Sequence, residues 1–233
     1  MRKDARYYGR RLRRVLKEPL KAHGFSEIRF LSYVRGGPDI METIAFIGRI
    51  DRWDKLYKIF RIVGVRYSAI ERIYDPKNID RIGPTVSIPL YELRDPKGFD
   101  EWTFHDLDTD EAIRNALMTE IETYAFPFWN DFKDIAFLKQ YLESFKPKYL
   151  PIGMDGEKHL RQYMESPQPK YHPSLDAQQH FSILAIIEFI NSNKARAFEI
   201  IDEALEERKY DFPKYRRMLE ELRERLKSME NSK

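Results

Sequence analysis

A chain of 233 residues with 42% hydrophobic, 34% charged and 14% aromatic side chains is neither a disordered polymer nor a chain with the ~20-residue apolar run of a membrane span. It has no cysteine, which excludes disulfides, zinc ribbons and cysteine nucleophiles. A net charge of +3 does not argue for nucleic acid, but residues 1–75 hold 18 Lys/Arg against 9 Asp/Glu and residues 100–145 hold 3 against 11, so the two stretches are placed to attract each other or opposite poles of a partner. Basic residues follow Met1 without the apolar stretch of an export signal, and the expected location is cytoplasmic.

Residues 4–22 read as a helix, with Tyr8, Leu12, Val15, Leu16 and Leu20 forming one apolar stripe and most Arg and Lys on the other side. Gly24 supplies the left-handed exit, and Phe25 is placed to pack on the last turn. Pro19 inside the pattern predicts a kink or the start of a second short segment. Ile28 to Val34 reads as one β-rich strand, Gly36-Gly37-Pro38-Asp39 as a turn, and residues 42–52 as a strand with Ile44, Phe46 and Ile50 on one face. Asp54 and Lys55 predict a short hairpin connection to a strand over 56–67. Residues 85–91 give another strand, which Pro89 confines to an edge or ends early, and 99–105 give one more.

The period then changes. Asp108 with Glu111 resembles a capping box, and Ile113, Leu117, Ile121 and Tyr124 mark a helix face. Phe126-Pro127-Phe128-Trp129 is expected to interrupt that helix before a helical stretch to about Ser144. Seven Pro and Gly residues punctuate 146–175, read as a connector with one short helix near 156–165. Helices follow at about 176–191, 194–208 and 212–229. The first is apolar nearly all round and expected to be buried, its Glu188 finding solvent or a basic partner. No 34-residue period accompanies these hairpins, so a solenoid is not expected.

The stretch Val15-Leu16-Lys17-Glu18-Pro19-Leu20-Lys21-Ala22-His23-Gly24-Phe25, the strand Thr43-Ile44-Ala45-Phe46-Ile47, and Ile121 to Leu142 with its Phe126-Pro127-Phe128-Trp129 and Leu138-Lys139-Gln140-Tyr141-Leu142 segments together resemble a bacterial family known as domain of unknown function 4304, over roughly residues 5–145. Where that family commonly has a basic stretch after the Phe, this chain has Ser26-Glu27-Ile28. The resemblance implies a fold and no catalytic residues. The expected class is α+β: an antiparallel β-meander flanked by N-terminal and following helices, plus a C-terminal helical extension. The expected domains are 1–145, a connector at 146–175 and the extension at 176–230.

No phosphate loop, dinucleotide fingerprint, zinc helix motif or nucleophile elbow is present. The five histidines, His23, His105, His159, His172 and His180, are never three or four apart, so no one helix offers two metal ligands, and neither a metal nor a cofactor is expected. His105 lies beside Asp106 and Asp108 at a strand-to-helix junction, where acids have their own reason to sit. Trp53, Tyr57, Trp102 and Trp129 are the aromatic candidates for an interface, with Trp129 expected in the core and Trp53 in a hairpin turn. Arg10, Arg11, Arg13 and Arg14 offer either a solvated face or partners for the acidic helices after 108. The candidate interface is Trp53, Tyr57, Arg49, Arg10 and Arg14. The expected function is a non-enzymatic protein-binding module, in its specific form a cytosolic immunity or antitoxin-type protein. The alternatives are an enzyme assembled from distant residues such as His105, Asp106 and Glu42, or a weak nucleic-acid binder through the first helix.

Overall fold

The computed structural model describes residues 4–54, 56–78, 83–95, 101–105, 108–144, 177–207 and 213–232. The connector at 146–175 and its short helix lie outside the described residues. Contacts divide the chain into two compact units. Within the described residues, the first holds 4–67 and 83–133, and the second holds 68–78, 134–144, 177–207 and 213–232.

Helix α1 (Ala5–Ala22) opens on Asp4, whose carboxylate accepts the Tyr7 N–H at 2.8 Å. Leu12, Leu16 and Leu20 are fully buried. Pro19 starts no second segment: the helix continues through it to Ala22. The backbone N–H of Phe25 closes the last turn on the Leu20 carbonyl at 2.9 Å, with Gly24 between at φ +83°.

The single strand expected over 28–34 is two, β1 (Ser26–Arg29) and β2 (Ser32–Gly36), because the chain turns at Phe30-Leu31. The Glu27 carboxylate accepts the Leu31 N–H at 3.2 Å, and Leu31 takes φ 59° while 2% exposed. A buried leucine held left-handed is an uncommon turn residue, so the β-rich run hid the turn. Strands β3 (Ile40–Ile50) and β4 (Tyr57–Tyr67) pair from Ile40↔Tyr67 to Ile50↔Tyr57. Strand β5 (Val86–Pro89) pairs with Ile62–Val65 of β4, and β6 (Trp102–Phe104) with Tyr57–Ile59 of the same strand. The sheet is an antiparallel meander β1-β2-β3-β4 whose last edge is shared by β5 and β6. Pro89 ends β5 and leads into the short α3 (Leu90–Arg94).

Period-two alternation gives the sheet two unlike faces. Tyr33, Ile44, Phe46, Ile59, Val63 and Val65 are buried on one. The other carries Val34, Thr43, Ala45, Ile47, Phe60 and Ile62, half-buried or exposed. After β6, α4 (Asp110–Glu120) is capped by Thr109, whose Oγ1 accepts the Ala112 N–H at 3.1 Å, rather than by Asp108, which accepts the His105 N–H at 2.9 Å. Phe126-Pro127-Phe128-Trp129 does not interrupt the helix. A π-helical segment, Ile121–Ala125, takes up the mismatch and Pro127 falls in the first turn of α5 (Phe126–Asp131), where its missing N–H costs least. Trp129 is fully buried, as the sequence implies, with its indole N–H on the Gly64 carbonyl at 3.0 Å.

The second unit holds α2 (Ser68–Tyr74), α6 (Ile135–Ser144), α7 (Ala177–Ile190), α8 (Lys194–Glu207) and α9 (Pro213–Asn231). Ile183, Leu184, Ile186 and Ile187 of α7 are buried, as the all-round apolar pattern requires, while Ile190 is 38% exposed. Glu188, 3% exposed, finds a basic partner: Lys139 Nζ lies 2.9 Å away and the Asn193 side chain donates at 3.1 Å. The fold class is α+β, and the C-terminal helices share their unit with α2 and α6 rather than standing apart from residues 1–145.

Candidate interaction surface

The β3–β4 ladder runs on to Ile50↔Tyr57, past the β1–β2 turn, which meets β3 at Ala45 and Phe46. Its tip is built by two aspartates. Asp51 Oδ1 accepts the backbone N–H groups of Trp53 at 2.8 Å and Asp54 at 3.4 Å, and Asp54 Oδ1 accepts that of Leu56 at 2.9 Å. Lys58 Nζ clamps both carboxylates, at 3.2 Å to Asp51 and 2.9 Å to Asp54. The backbone bonds, from Trp53 above all for Asp51 and from Leu56 for Asp54, hold both carboxyls below their ordinary range. The two carboxylates push the Lys58 ammonium up. Trp53, carried on this cross-braced turn, is 93% exposed. Lys55 lies outside the described residues.

Tyr57 has no surface to offer, which corrects the expectation for it. It is 3% exposed and stacks on Tyr8, ring centroids 5.1 Å apart and 14° from parallel. Its alternation places it on the buried face, and its hydroxyl fills the space a Cβ at Gly48 would need. Arg49, on the opposite face, is exposed and bonds Glu101 at 3.0 Å. Arg14 reaches Asp110 at 2.7 Å, and Arg11 bonds the same carboxylate at 2.7 Å and the Asp108 carbonyl. The Arg11 bond, then the Arg14 bond, holds the Asp110 carboxyl below the usual range. Part of the basic face of α1 therefore does meet the acidic helix. Arg10 is exposed and forms no ion pair among the described residues. Trp102 is half-buried, edge-on to Phe104 at 5.5 Å.

Sequence reasoning missed three further exposed apolar side chains of this unit: Tyr7 (43%), Phe30 (57%) and Ile47 (54%). All three lie toward the hairpin end of the sheet, Phe30 and Tyr7 on the side of α1 and Ile47 on the opposite face. Phe30 sits on the β1–β2 turn, Ile47 near the end of β3, and Tyr7 in the first turn of α1, beside the Tyr8 that stacks on Tyr57. Odd-numbered alternation along β3 was the signal for Ile47. Nothing local marked Phe30, because the turn it occupies was itself hidden.

Two buried ionic clusters were also missed. Glu42, with 4% of its side chain exposed, bonds Arg35 and lies 3.2 Å from Lys133. The Arg35 guanidinium lies over Phe25, Phe126 and Trp129 at 4.7, 4.8 and 5.4 Å and donates to the His23 carbonyl. Arg61, buried opposite Phe46, lies 3.3 Å from Glu120. Its period-two place between Ile59 and Val63 was the legible sign of a buried cation.

The residues considered for an assembled catalytic site do not converge. Glu42 pairs with Val65 near the far end of β4, whereas His105 follows Phe104, which pairs with Tyr57 at its start. Eight residues of strand, about 26 Å, separate those positions. Asp106 lies outside the described residues. A cleft of about 420 Å³ beside His105 is lined by Glu101, Trp102, Asp108 and Ile113, with Glu101 engaged by Arg49 and Asp108 by the His105 backbone. His23 Nε2 lies 3.0 Å from Glu122, while its backbone N–H serves the helix end. Among the described residues no group of three or more His, Asp or Glu side chains is placed to hold a metal, and no helix is long and apolar enough to cross a membrane.

No family model matches the chain, and neither the curated proteins nor the solved structures provide a match. An α+β fold with an antiparallel sheet and a cross-braced hairpin presenting an indole to solvent is what defines the molecule.

Proposed function

We propose that this chain is a non-enzymatic protein-binding module that docks a partner protein with the hairpin end of its sheet, in its specific form a cytosolic bacterial immunity or antitoxin-type protein. The observation that carries the reading is Trp53, 93% exposed on a turn fixed by Asp51, Asp54 and Lys58. An indole in water forgoes the burial that makes Trp a frequent interface anchor, and a pre-formed turn loses little entropy when a partner covers it. Tyr7, Phe30 and Ile47 at the same end add apolar area, and Arg49 and Arg10 add charge around it.

Affinity purification from the native organism, run in parallel with Trp53→Ala, tests this. The expected result is a protein retained by the wild-type chain and lost with the variant. A protein retained equally by both, or none retained at low and moderate salt, contradicts it.

A further inference from the structure

The outward face of α1 carries six cations, and two of them are spent within the fold. Arg13 pairs with Glu27 at 2.8 Å and Arg14 with Asp110 at 2.7 Å. Arg6, Arg10, Lys17 and Lys21 remain, all exposed and without an ion pair among the described residues. Their spacing is i, i+4, i+11 and i+15. At 3.6 residues per turn this keeps the four within about 60° of one another around the helix and spreads them over about 22 Å of its length. Leu12 and Val15 occupy the opposite side and are buried, so the row is held in place by the core beneath it.

We propose that this row is a docking face for an acidic α-helix of a partner protein, one bearing carboxylates at the same i, i+4, i+11, i+15 spacing. The inference rests on the protein-binding reading and names the chemistry of the partner. Two helices share the same rise per residue, so a carboxylate row of that period meets all four cations at once. A nucleic-acid strand presents charge at short, even intervals and fits the two-turn gap between Arg10 and Lys17 no better than any other line of cations. The flanks argue the same way. Glu18 lies exposed beside the row and disfavours a polyanion there, while Glu27 and Asp110 on its two sides are neutralised by Arg13 and Arg14.

The test uses three fluorescein-labelled probes on the whole chain: an alanine-based helical peptide of about 20 residues with Glu at the four matched positions, a peptide of the same composition in scrambled order, and a single-stranded DNA of about 20 nucleotides. The expected result is tightest binding of the matched peptide, weakening as salt shortens the screening length. The variant Arg6→Gln/Arg10→Gln/Lys17→Gln/Lys21→Gln is expected to weaken it roughly tenfold, the sum of four modest exposed pairs. A control that removes the same charge elsewhere, Arg72→Gln/Lys77→Gln/Arg216→Gln/Arg217→Gln, is expected to leave the affinity within about twofold of wild type. All eight changes are on exposed side chains, and circular dichroism reads whether the fold persists. Equal binding of matched and scrambled peptides, equal loss in both variants, or tighter binding of the DNA overturns the proposal. Trp53→Ala still binds the matched peptide if the row acts alone, so failure of the hairpin surface and failure of the row give different results.

Discussion

Two tryptophans of one chain have opposite duties. Trp129, fully buried, packs on Phe25 at 5.2 Å and donates to the Gly64 carbonyl. Trp129→Ala removes the ring and leaves that carbonyl without its donor, an expected loss of about 3–5 kcal/mol in urea unfolding. Trp53→Ala is expected to change stability by less than about 0.5 kcal/mol, because the ring contacts water and the turn is held by carboxylates instead. His180, 2% exposed in the second unit, is a third case. Burial pushes its imidazole down to about 4, against a smaller opposing bond to the Leu142 backbone. The unfolded chain therefore binds a proton first as pH falls, and stability is full above the ordinary value of 6.5 and declines between 6.5 and about 4. Each pH unit of that window costs at most about 1.4 kcal/mol. His180→Gln, which keeps an amide donor and cannot titrate, is expected to flatten that part of the wild-type pH–stability curve measured by urea unfolding.

At the scale of elements, the hairpin is a preformed turn because its aspartates accept its own amides. Asp51→Ala removes the acceptor of the Trp53 and Asp54 N–H groups, and faster hydrogen exchange at those two amides is the expected outcome, with the β3–β4 ladder unchanged. Both carboxyls are held below 3.8 by their bonds, so the turn's order is present above that pH and is lost as pH falls through their lowered values. Fluorescence anisotropy of Trp53 reads that loss. The hairpin strands, the exit of α1 at Gly24 and the C-terminal helices were legible from alternation, glycine and period. Three features were not. The turn at Phe30-Leu31 depends on a carboxylate four residues back, the Thr109 cap won over Asp108 because Asp108 serves His105, and the π-segment before Pro127 leaves no local mark.

On the scale of the whole molecule, the basic front and acidic middle of the sequence do meet, at Arg11, Arg14 and Asp110 and at His23 and Glu122, and a remainder faces outward. Which cations stay unneutralised was not legible, since it depends on which carboxylates the fold brings alongside α1. Trp53 and Arg49 were legible as outward groups from the hairpin and from alternation. Tyr57 shares the inward alternation of Ile59 and Val63, a sign the sequence carried, while the ring that covers it, Tyr8, lies far off in sequence. The most direct measurement is a titration of the chain with its purified partner, following acrylamide quenching of Trp53 in a variant whose Trp102 is replaced by Phe. The expected result is that saturation shields Trp53 from the quencher and that Trp53→Ala weakens the complex at least tenfold, about 1.4 kcal/mol. A partner that binds Trp53→Ala as tightly as wild type, with Trp53 quenched as readily in the complex as in the free chain, contradicts the hairpin as the docking surface.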